Sequence, residues 1–128
     1  MYIIELDHIV LTVKDIQATI QFYTTVLGMQ QVCFVDNRQA LRFGTQKINL
    51  HQQGEEIAPH AAQPLPGSAD LCLITDIPLD QVIDHVHSCG VAILAGPVHR
   101  TGATTALQSI YLRDPDENLI EIANRVID

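Results

Sequence analysis

Glu5 to Val13 (ELDHIVLTV) alternates in a way that predicts a strand, with His8, Val10 and Thr12 on one face and Ile9, Leu11 and Val13 on the other. Asp15 stands where a helix N-cap is expected. Ile16, Ile20, Tyr23 and Leu27 then recur at helical spacing, and Gly28 occupies the place of a left-handed C-terminal residue. Three short strands are expected at Gln30 to Val35, Gln39 to Phe43 and Gln46 to Gln52, with turns at Asp36-Asn37 and Gly44-Thr45. Gly54 to Gly67 holds Pro59, Pro64 and Pro66, has no periodicity, and reads as a connector. The pattern then restarts. Ala69 to Thr75 predicts a strand, and Leu79, Val82, Ile83 and Val86 a helix ended by Gly90. Further strands are expected at Ala92 to Leu94, Leu107 to Arg113 and Asn118 to Asn124, with Gly96 to Gly102 as a loop and Asp114-Pro115-Asp116-Glu117 as the last turn.

The order β-α-β-β-β thus occurs twice, which predicts an α+β fold: one domain over residues 1–128, built of two βαβββ modules at about 1–53 and 68–128. A sheet covered by a helix on one face still has the other to bury or use, so pairing two such sheets is expected to leave a cleft between them. The residues expected to line it are His8, Val10 and Thr12; Lys47, Asn49 and His51; Asp70, Cys72 and Ile74; and Leu119, Glu121 and Ala123. In each strand a polar residue falls opposite a strongly apolar flank. His8, His51, Asp70 and Glu121 are therefore candidate ligands. Two imidazoles and two carboxylates suit a divalent ion such as Ni, Zn, Mn or Fe(II). The same residues also admit plainer readings. A strand histidine is commonly a packed residue, Glu121 suits the solvent face of an antiparallel sheet, and Asp70 suits a turn.

Composition narrows the field. Hydrophobic residues make up 47% of the chain and charged ones 17%, which provides for a core and argues against disorder. The formal net charge of −8 disfavours nucleic acid and anionic membrane surfaces as partners. No apolar run approaches the roughly 20 residues of a membrane span, and the start lacks the basic-then-apolar order of a secretory signal. Cys33, Cys72 and Cys89 form no Cys-x-x-Cys and read as free thiols of a reducing cytoplasm. Lys14, Arg38 and Arg125 read as solvated charges.

Leu6-Asp7-His8-Ile9-Val10-Leu11-Thr12-Val13, followed by Asp15-Ile16 and Phe22-Tyr23-Thr24-Thr25-Val26-Leu27-Gly28-Met29, resembles the opening of the vicinal oxygen chelate superfamily. That superfamily includes glyoxalase I, fosfomycin- and bleomycin-resistance proteins and extradiol dioxygenases. Tyr111 to Glu121 resembles its closing strand-turn-strand, and Lys47 to Gln52 with Gly67 to Cys72 resembles the glyoxalase domain-containing protein 5 subgroup, often labelled virulence-associated. The resemblance implies a glyoxalase-like domain, with His8 and Glu121 as metal ligands. Asp70 stands where a His is usual. Asn49 matches the middle ligand position through the internal repeat, while His51, a better donor, lies two residues on; His51 is preferred here.

The implied chemistry is that of a metal-dependent lyase or isomerase. A divalent ion takes two adjacent substrate oxygens and stabilises charge as an enediolate develops, and Glu121 shuttles a proton. Arg100, Tyr111 and Arg113 are expected at the substrate. A homodimer is expected from the same resemblance. The alternatives are an extradiol-type dioxygenase and a non-catalytic small-molecule-binding resistance protein.

Overall fold

A computed structural model describes residues 1–127. It is an α+β protein with two four-stranded mixed sheets, and it divides into two compact units, Met1–Gly67 and Ser68–Asp128. The proline-rich connector belongs to the first.

In the first unit β1 (His8–Val13) leads to α1 (Ile16–Thr25), then β2 (Gln30–Phe34), β3 (Arg38–Phe43) and β4 (Gln46–Gln52). The sheet order is β1-β4-β3-β2, with β1 parallel to β4 and the other pairs antiparallel. Asp15 caps α1 as expected, its Oδ1 accepting from the backbone N–H groups of Gln17 and Ala18 at 2.9 and 3.2 Å. Leu11, Val13, Ile20, Tyr23, Leu41, Ile48 and Leu50 form the core on the helix side of the sheet. The Asp36-Asn37 turn is a short 3-10 segment in which both residues adopt positive φ, a conformation that asparagine and aspartate tolerate better than most side chains.

The second unit repeats this order with β5 (Asp70–Ile74), α2 (Leu79–Ser88), β6 (Ala95–Thr101), β7 (Ala106–Arg113) and β8 (Leu119–Arg125), arranged β5-β8-β7-β6. Leu79, Val86, Ile110, Leu112, Ile120 and Ile122 form its core. One expectation is corrected. The strand expected at Ala92 to Leu94 lies instead at Ala95–Thr101, most of it in the segment Gly96 to Gly102 expected as a loop. Proline is tolerated there because β6 is an edge strand with a register shift between Ala95 and Val98. Gly96 has φ 106 and lies against the backbone of Ser109 and Ile110, leaving no room for a Cβ.

The two helices start in matching ways. The Gln52 side chain, at the end of β4, accepts from the Ile16 N–H and donates to the Val13 and Lys14 carbonyls. Asn124, at the end of β8, accepts from the Leu79 N–H and donates to the Thr75 and Ile77 carbonyls. Pro78 supplies no side-chain cap to α2, so Asn124 does this from across the sheet.

In the last turn Glu117 adopts φ 67. Glu117→Gly is expected to raise stability by up to about 1 kcal/mol, because glycine enters this region without a Cβ clash. Chemical denaturation should show a higher midpoint at unchanged slope.

Candidate functional site

In the first unit His8 begins β1 on the face away from α1. Its Nδ1 lies 2.8 Å from Asp7 Oδ2, a carboxylate–imidazole pair that orients the ring and leaves Nε2 free. The strand register fixes what lies beside it: His8 is opposite Lys47, Val10 opposite Asn49, and Thr12 opposite His51. Asn49 is therefore one diagonal step from His8. His51 is four residues beyond Lys47, about 13 Å along the sheet. Asn49 and His51 are both buried, at 6% and 5% exposure. Among the described residues, Asn49 Oδ1 and both ring nitrogens of His51 have no hydrogen-bond partner. Burial first, then the Arg38 and His60 charges, hold the His51 pKa below the ordinary histidine value, while Glu56 pulls the other way. The ring is thus neutral in the folded chain where the unfolded chain would begin to protonate, so its contribution falls as pH drops below about 6.5.

In the second unit the register repeats. Asp70 is opposite Leu119, and Glu121 lies between Cys72 on β5 and Tyr111 on β7. Asp70 and Glu121 thus share the diagonal relation of His8 and Asn49. Ser109 Oγ donates to Glu121 Oε2 at 2.6 Å, and the Cys72 thiol donates to the same carboxylate. Burial, then the Glu121 charge and hydrogen bond, then the Asp70 charge, push the thiol up to about 11. Cys72 is therefore a protonated donor near neutral pH. In metal-free protein at pH 8 it should react with thiol reagents roughly 100-fold more slowly than an unperturbed thiol. Glu121→Gln should speed that reaction, and a rate like that of a model thiol in the parent protein would contradict this.

Glu121 and Cys72 line a groove of about 380 Å³ together with Arg100, Thr105, Leu107 and Arg125. Arg100, expected on a loop, lies instead on β6. Its Nε donates to the Tyr111 hydroxyl at 2.9 Å, and its guanidinium carbon is 5.4 Å from that ring's centre. Arg113 lies two residues from Tyr111 on the same face of β7 and donates to the Glu117 carbonyl at 3.1 Å. Arg100, Tyr111 and Glu121 are thus brought together. Asp70 is exposed at the start of β5.

The four candidate donors divide between the units, His8 and His51 in the first, Asp70 and Glu121 in the second. Among the described residues no group of three or more His, Cys, Asp or Glu side chains is gathered to hold a metal ion. The donor chemistry nevertheless suits a divalent cation: His8 has a free ring nitrogen and an anchored second one, and Glu121 is a carboxylate held by hydroxyl and thiol donors. Sequence reasoning missed the supporting groups Asp7 and Ser109. Asp7 was visible as the neighbour of His8, whereas Ser109 needed the pairing of β7 with β8. Arg38, read as solvated, stands over the Phe34 ring, and Arg125 lines the groove.

Two mixed sheets, each with a covering helix and a polar row on the opposite face, define the glyoxalase-type fold class. The chain belongs to the Glyoxalase/Bleomycin resistance protein/Dioxygenase superfamily, whose model matches residues 5–122. It is 56% identical to virulence protein STM3117 of Salmonella typhimurium, over 98% of this chain and 88% of that protein. The crystal structure of STM3117 superposes with a TM-score of 0.97, covering 98% of this chain and all of the other. An integron cassette protein from the mobile metagenome of V. cholerae is also 56% identical, with a TM-score of 0.95 over 97% of each chain. The glyoxalase domain-containing protein RDO1 of Mycosarcoma maydis is 50% identical over 93% of this chain and 67% of its own length. No helix among the described residues is long and apolar enough to cross a membrane.

Proposed function

We propose that the protein is a metal-dependent lyase or isomerase of the glyoxalase type, acting on a small substrate with adjacent oxygens. The observation that carries this reading is the Glu121 carboxylate, anchored by Ser109 and Cys72 in a groove that also holds Arg100 and Arg125. In this reading Glu121 takes a proton from a substrate carbon and returns it. Arg100, fixed by Tyr111, and Arg113 orient a negatively charged substrate group. His8 in the first unit, and Asp70 with Glu121 in the second, are the residues proposed to donate to a metal, each within its own unit. The register leaves His51 too far from His8 to share an ion with it, so we assign His51 another role. The ion, drawn from Ni, Zn, Mn or Fe(II), would supply Lewis-acid polarisation of a substrate oxygen when bound.

We assign a homodimer to the working form. The exposed apolar residues Tyr2, Ile3, Ile4 and Leu6 support it, since such a run is costly in water. The test is metal uptake by purified protein, read by elemental analysis and by thermal shift with each of the four ions. About one ion per chain and a raised melting temperature are expected, and neither appearing would overturn the enzyme reading. Absence of both would leave the second reading, a non-catalytic small-molecule binder.

A further inference from the structure

We propose that the face of the first sheet opposite α1 binds the oxyanion of a small hydroxy acid through Arg38 and Lys47, beside Phe34. The register places Arg38, Ala40 and Arg42 of β3 on the same face as Lys47, Asn49 and His51 of β4, with Val32 and Phe34 of β2 next to them. Lys47 Nζ lies 4.0 Å from the centre of the Phe34 ring, and the Arg38 guanidinium carbon 5.0 Å from it. Two cations therefore converge on one aromatic ring, whose face attracts positive charge.

The chain has 15 acidic and 7 basic residues, yet among the described residues no carboxylate forms an ion pair with Arg38, Arg42 or Lys47. The acidic group near His51 is Glu56, and its carboxylate accepts from the Gly54 N–H at 2.7 Å within its own loop. Convergent cations without a counter-ion, held in place by an aromatic ring, suit an anion carrying several oxygens.

An independent observation points the same way. His51 is 5% exposed, shares this face, feels the Arg38 charge, and has neither ring nitrogen hydrogen-bonded; the Asn49 Oδ1 beside it is also without a donor. Buried polar groups are rarely left unsatisfied. An oxyanion accepts from Arg38, Lys47 and the protonated ring nitrogen of neutral His51, and a hydroxyl on the ligand donates to Asn49 Oδ1. Val10 and Val32 border the row and accommodate a short carbon skeleton. Carboxylate and phosphate share the chemistry required.

This deepens the enzyme reading and rests on it only in making the acid a substrate; the binding test uses metal-stripped full-length protein, so the two can fail separately. Inorganic phosphate, acetate and glycolate are titrated against labelled protein, following the Arg38 Nε–H and His51 ring signals by NMR. Saturable shifts with millimolar affinity are expected, with glycolate tighter than acetate by at least threefold. Arg38→Gln and Lys47→Gln should each weaken binding at least tenfold, and Phe34→Leu should weaken it while keeping both cations. Lys14→Gln, an equal loss of charge elsewhere, should leave it unchanged, and circular dichroism verifies folding of every variant. Whichever of phosphate or acetate binds more tightly identifies the preferred oxyanion. Equal affinity for glycolate and acetate would overturn the hydroxyl assignment. No saturable shift with any of the three up to about 100 mM, or shifts that survive both charge-removing variants, would overturn the site.

Discussion

Glu121→Gln is expected to lower divalent-metal affinity by more than about 100-fold, beyond the range usual for loss of a supporting group. The substitution keeps the volume and removes the charge. Ser109 Oγ now donates to Oε2 of a carboxylate; an amide offers a single oxygen for both roles. Ser109→Ala removes only the anchor, so a loss nearer 10-fold is expected there, as for Asp7→Asn, which loosens the His8 ring. Titration calorimetry against a competing chelator separates the three. Parent-like affinity in the Glu121→Gln protein would remove Glu121 from the donor set, whatever its role toward substrate.

The largest expected loss of stability comes from Asn118→Ala. Asn118 is 1% exposed and joins the last turn to the first strand of its unit. Its Oδ1 accepts from the Ala69 N–H at 2.9 Å, and its Nδ2 donates to Asp114 Oδ2 at 2.8 Å. Asp114, also buried, accepts through Oδ1 from the backbone N–H groups of Asp116 and Asn118. Truncation strands one half-buried donor and deprives a buried carboxylate of one partner, at about 1–3 kcal/mol for each unsatisfied group. A total near 3 kcal/mol is expected, which for a chain of this size lowers the melting temperature by on the order of 10 °C. Calorimetry on metal-free protein measures it, and a fall of less than about 3 °C would show that the turn holds without its asparagine.

Much of the fold was legible because alternation and helical spacing are local. Asp15, Gly28 and Gly90 marked helix ends through chemistry that needs no tertiary partner. The sixth strand was missed because Gly96-Pro97 is local evidence for a loop, and what permits a strand there, an edge position and the close approach of Ser109, belongs to the sheet.

The site divides along the same line. That Asn49 and His51 share a face follows from two-residue periodicity. Their distances along the sheet from His8 do not, because the offset between the parallel strands β1 and β4 is written in neither strand. Nor does the sequence reveal that Lys47 and Arg38 reach one phenyl ring, since that contact crosses three strands.

The side-chain amides at the ends of β4 and β8 make each helix answerable to the last strand of its own sheet. Hydrogen exchange at the Ile16 and Leu79 amides would therefore report on whether those final strands are seated, so fraying of either sheet's end would be felt first at a helix start, some forty residues earlier in the chain.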